Sequence, residues 1–66
     1  MAQEQYRGYG LWGHAVPEAG RYVASGTVTR DDVLIQTSGR LDMFWTEDEA
    51  RTAGIEWARA WVDGNS

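Results

Sequence analysis

Between Thr46 and Gly64 the apolar positions recur at helical spacing. Ala50, Ala53, Gly54, Trp57, Ala58 and Trp61 gather on one side, and Ile55 and Val62 widen that stripe along one flank. Asp48, Thr52, Glu56, Arg59 and Asp63 fall opposite and form a solvated face. The pattern predicts a helix over about Glu47 to Asp63 with both ends marked. Thr46 is placed to cap the first turn, and Glu49 is placed to return a hydrogen bond to the Thr46 backbone N–H. Glu47, Asp48 and Glu49 put negative charge at the positive end of the helix dipole. Gly64 can take the left-handed conformation that closes the other end. The apolar stripe alternates very small residues with two indoles, a face that can approach a sheet closely, so Trp57 and Trp61 are expected in the core. Gly54 costs about 1 kcal/mol against alanine in a helix interior, and close packing is the expected compensation.

Upstream of the helix the period changes to two. Tyr6 to Val16 reads as a strand with Tyr9, Leu11, Gly13 and Ala15 on one face and Gly8, Gly10, Trp12 and His14 on the other. Pro17 to Gly20 has the residues of a turn. Arg21 to Arg30 is the clearest strand, with Tyr22, Ala24, Gly26 and Val28 alternating with Val23, Ser25, Thr27 and Thr29. After the charged turn at Arg30-Asp31-Asp32, Val33 to Gln36 reads as a third strand, and Leu41 to Trp45 as a fourth short strand or an extended lead into the helix. Residues 1–5 and 65–66 are polar and expected to be loosely ordered. Short loops between strands and a helix at the end imply a single domain over 1–66 of the α+β class. The expected architecture is a two-layer sandwich in which a three- to four-stranded antiparallel meander is followed by one C-terminal helix, β-β-β-α. Trp12, His14, Val23 and Leu34 then lie on the sheet face away from the helix and are the candidate interaction surface.

Composition narrows the function classes. At 66 residues the chain is near the lower limit for folding without staples, and it contains no cysteine for a disulfide or a thiolate metal site. Eight aromatic residues, four Trp, three Tyr and one Phe, supply the area a small core needs. The net charge of −4 and an isoelectric point of about 4.6 argue against a protein that tracks a nucleic-acid backbone. All six basic residues are arginine. No apolar run has the length of a membrane span or an export signal, so a cytoplasmic location is expected.

Little in the chain points to chemistry. His14 is the lone histidine, with no second histidine or cysteine to share a metal. Asp31-Asp32 reads as turn chemistry and Glu47-Asp48-Glu49 as helix capping. Ser25 and Ser38 have no base near them in sequence, and Gly8-x-Gly10 is not followed by a helix start that could hold a phosphate. These features give no catalytic residue, no cofactor or metal site and no small-molecule substrate. The expected function is a small non-catalytic protein-interaction module, a homodimer or the partner of another small protein, with the open sheet face or an edge strand as its contact. The alternative is an antitoxin-like or nucleic-acid-associated regulator that uses Arg7, Arg21, Arg30 and Arg40 with aromatic rings for stacking.

Tyr6-Arg7-Gly8-Tyr9, the Tyr22-x-Ala24 strand, Thr46-Glu47-Asp48-Glu49-Ala50 and the closing Trp61-Val62-Asp63 span nearly the whole chain. In this pattern the sequence resembles a group of short uncharacterised bacterial proteins. The resemblance implies a β-β-β-α domain of unknown function and brings no catalytic residue with it.

Overall fold

The structure, a computed structural model, describes residues 2–65. Five strands precede one helix: β1 (Ala2–Tyr6), β2 (Tyr9–Glu18), β3 (Arg21–Arg30), β4 (Val33–Thr37), β5 (Met43–Phe44) and α1 (Glu47–Asn65). The first four strands form an antiparallel meander in the order β1-β2-β3-β4, and β5 pairs with the opening of β3 at Tyr22 and Val23. The helix lies on one face, which makes this the expected α+β sandwich.

The three meander connections share one device. Arg7-Gly8, Ala19-Gly20 and Asp31-Asp32 are two-residue turns in which both residues have positive φ, 53° and 84°, 51° and 77°, 51° and 63°. That backbone twists in the same sense as the strands it joins, which is why two-residue hairpins favour it. Pro17 therefore lies inside β2, paired with Tyr22, and does not form the turn. It fits there because, among the described residues, β1 reaches only as far as Gly13, which leaves β2 an edge at Pro17 with no second donor needed.

The helix crosses β2 and β3 where the side chains are smallest. A Cβ on Gly54 would lie 2.1 Å from the Ser25 carbonyl oxygen and 2.9 Å from the Gly13 Cα. One on Gly13 would lie 2.1 Å from the Arg51 carbonyl oxygen, and one on Gly26 would lie 2.4 Å from that of Gly54. The two layers thus meet backbone to backbone at three glycines. Beyond that contact Leu11, Val28, Ala58 and Val62 form the buried cluster, with Tyr6, Tyr9, Ile55, Trp57 and Trp61 packed around it. The two indoles are half-buried walls of the core and not its centre. Trp61 meets Tyr9 edge to face, with ring centroids 6.3 Å apart.

Several boundaries differ from the expectation. Residues 2–5 are not loose, because Ala2 to Tyr6 pair with β2 and Glu4 forms an ion pair with Arg59 of the helix. The strand expected from Tyr6 to Val16 is divided at Arg7-Gly8. The helix does not stop at Asp63. It continues through Gly64 to Asn65, and the Asn65 side-chain amide donates to the Trp61 carbonyl at 2.8 Å. Met1 and Ser66 lie outside the described residues. At the other end the Glu49 N–H donates to Thr46 Oγ1 at 3.2 Å and the Thr46 hydroxyl donates to Glu49 Oε1 at 3.1 Å, so Glu49 answers the hydroxyl instead of the backbone N–H.

Candidate functional site

The sheet face away from the helix carries Trp12 and His14 of β2 and Val23, Ser25, Thr27 and Thr29 of β3. Its polar groups are largely turned on one another. The Trp12 indole N–H donates to Thr29 Oγ1 at 3.0 Å, and His14 Nε2 shares a hydrogen bond of 3.0 Å with Thr27 Oγ1. The indole lies back along its own strand over Gly10, where a Cβ would come within 3.3 Å of the indole nitrogen and 2.6 Å of Thr29 Oγ1. Trp12 and His14 are half-buried, and each is tied to a threonine of β3. Val23 sits on the same face but is only 5% exposed, because Val16 stands opposite it on one side and Met43 on the other. Three of the four residues expected to form an open contact surface are thus partly or fully covered by their neighbours.

Leu34 is different. It is 61% exposed, with Val33 at 59% and Ile35 at 41% beside it, and all five residues of β4 are exposed. The helix touches β1, β2, β3 and β5 but not β4. Strand β4 pairs with the end of β3 through Thr27 to Arg30, and the register shifts between Val28 and Thr29, so that Ile35 is an extra residue opposite that step. A bulge of this kind re-aims the side chains around it. The chain then runs from Ser38 to Asp42 along the remainder of β3. Ser38 N–H donates to the Gly26 carbonyl at 2.9 Å, Leu41 N–H to that of Ala24 at 2.9 Å, and Ala24 N–H to that of Asp42 at 2.8 Å. Arg40 fastens this strap to the end of β2 by two hydrogen bonds to Glu18, at 2.8 and 3.0 Å, and its guanidinium holds the Glu18 carboxyl below the usual range. One edge of the sheet is thus formed entirely by the segment 33–44. Its apolar part, Val33-Leu34-Ile35, has neither helix nor strand on its outer side among the described residues.

The arginines are spent within the molecule. Arg40, Arg51 and Arg59 pair with Glu18, Glu47 and Glu4, and Arg7 lies 3.6 Å from Asp63. Arg21 stacks over Trp45 at 4.3 Å from the ring centre, and Arg30 over Tyr9 at 5.1 Å. Trp45, 70% exposed, is a second aromatic surface feature that the pattern of the chain did not single out. Among the described residues no cavity forms and no group of three or more His, Cys, Asp or Glu side chains is placed to hold a metal. No helix is long and apolar enough to cross a membrane.

The family model described as Domain of unknown function (DUF6566) matches residues 1–66. The chain belongs to this family. Searches of curated proteins and of solved structures returned no significant match. On this DUF6566 domain, three of the six large apolar residues exposed among the described residues stand together on the β4 edge.

Proposed function

We propose that this DUF6566 domain is a small non-catalytic protein-interaction module whose docking element is the β4 edge, where a strand of a protein partner extends the sheet. One observation carries the reading: β4 is an edge strand with every residue exposed, three apolar residues in succession, and no charge or proline within it. Sheet edges in soluble proteins are normally blunted by charges, prolines, bulges or a covering segment, because an open edge is a template for another strand. Here only the bulge at Ile35 blunts the apolar stretch. Strand addition draws its affinity from main-chain hydrogen bonds and its selectivity from alternate side chains, and β4 offers both. The intramolecular use of the six arginines supports a protein partner over a nucleic acid, since no guanidinium row is left to follow phosphates.

Site-specific photo-crosslinking in cells tests the reading. A photoreactive residue at Ile35 should give protein adducts that one at Asp48, on the solvated face of the helix, does not give. Adducts of equal yield at both positions, or none at Ile35, would remove β4 as the docking element.

A further inference from the structure

We infer that the strand which completes the β4 edge is β4 of a second copy of this chain, added antiparallel about a two-fold axis. The inference rests on the strand-addition reading above and names its partner. The two edges of the sheet differ sharply. At the β1 edge the residues are Gln3, Glu4 and Gln5, and Glu4 is tied to Arg59 while Tyr6 is tied to Asp63, so helix and strand guard each other. The β4 edge, Val33-Leu34-Ile35-Gln36-Thr37, is uncharged and rich in β-branched side chains. A strand that must meet such an edge needs the same character, and β4 is the described strand that has it and remains uncovered. Most homodimers close by such a self-complementary contact.

Charge decides the orientation. The turn before β4 carries Asp31 and Asp32, and the strap after it carries Arg40, all three exposed. Parallel pairing of two β4 strands would bring four carboxylates together at one end. Antiparallel pairing separates them and sets each Asp31-Asp32 turn beside the partner's Arg40, whose guanidinium has donors beyond the two it gives Glu18. A two-fold axis perpendicular to the sheet also leaves both helices on the same side, with the Trp12 and His14 faces continuous across the joint. A contact through one five-residue strand is small, and each copy has its own core. The dimer is accordingly one that dissociates on dilution.

The absence of cysteine makes the test clean, because one introduced thiol reports only on itself. Under a two-fold antiparallel arrangement, each residue step away from the axis separates the two copies of a position by about a further 7 Å. A disulfide needs Cα atoms roughly 4.4–6.8 Å apart. Single-cysteine variants Val33→Cys, Leu34→Cys, Ile35→Cys, Gln36→Cys and Thr37→Cys, oxidised at a concentration where sedimentation shows dimer, should therefore cross-link at one or two positions at least about tenfold faster than at the rest. Ile35→Lys should remain folded by circular dichroism and weaken association by at least about tenfold, the equivalent of one lost contact of roughly 1.4 kcal/mol. Comparable cross-linking at all five positions would indicate parallel strands or random collision and would overturn the proposal. So would a monomer at every concentration. A monomer whose Ile35 position still gives specific adducts with another protein in cells would overturn the second copy as partner and leave the strand-addition reading standing.

Discussion

Glycines at 54 and 64 occupy the same helix under opposite constraints, and alanine at each should act with opposite sign. In a helix interior alanine is favoured over glycine by about 1 kcal/mol. At Gly64 a Cβ would meet nothing within 4 Å, and the backbone is helical. Gly64→Ala should therefore stabilise the domain by up to about 1 kcal/mol. If the helix ended at Asp63 with a left-handed Gly64, the same change would destabilise it, so a denaturant titration of this variant checks the observed helix end. At Gly54 the propensity gain is overwhelmed. The new methyl would stand 2.1 Å from the Ser25 oxygen, with backbone on both sides and no flexible side chain to move. Gly54→Ala should cost roughly 2 kcal/mol or more net, since overpacking of this kind typically costs about 1–3 kcal/mol even where side chains can yield. A neutral or stabilised Gly54→Ala variant would mean that the layers do not touch at the three glycines.

At the scale of elements, the helix was legible because its signals are local: a capping threonine, a run of acids and a stripe with a period of 3.6. Strand β1 was not, because Gln3, Glu4 and Gln5 carry no apolar alternation, and what orders them lies outside the segment, in Gly10 to Trp12 of the neighbouring strand and in the distant Arg59. The first hairpin was hidden for a related reason. Gly8 fits the alternation of a continuing strand, and only the positive φ of both Arg7 and Gly8 shows the chain turning back. The candidate surface divided the same way. Leu34 could be read from its apolar run, whereas Val23 is buried by Met43, a neighbour supplied by a two-residue strand twenty positions away. These two-residue turns carry their own prediction. Ala19 holds φ at 51° without glycine's freedom or an asparagine's local hydrogen bond, a conformation that costs roughly 1 kcal/mol. Ala19→Asn, and Asp32→Gly in the next hairpin, should each raise stability by about 0.5–1 kcal/mol. Thermal melts that show a loss for both would contradict the turn geometry.

Across the whole molecule, two exposed polar ties hold the sheet at opposite ends, and they respond to opposite limits of pH. At one end Arg40 hydrogen-bonds Glu18 and lowers its pKa. A carboxyl lowered in the fold contributes stability that is present above its ordinary value near 4.5 and is lost as pH falls through the lower folded value. At the other end the Tyr6 hydroxyl donates to Asp63 Oδ1 at 2.7 Å, and that bond, with some desolvation, raises the Tyr6 pKa above its ordinary 10.0 against the pull of Arg7 and Arg59. A phenol raised in the fold contributes stability that is present below 10.0 and is lost as pH rises through the folded value. Glu18→Gln should therefore flatten only the acid limb of melting temperature against pH, and Tyr6→Phe only the alkaline limb. Because both ties are exposed, added salt should shrink each effect. The β4 apolar run contains no titratable group, so dimerisation through it should vary little with pH between these limits, and added salt, which screens both the flanking attraction of Asp31 and Asp32 to Arg40 and the repulsion between two copies of charge −4, should change it little. A dimer that dissolves completely on adding salt would have to be held by ion pairs alone, and the apolar β4 edge could not then be its seam.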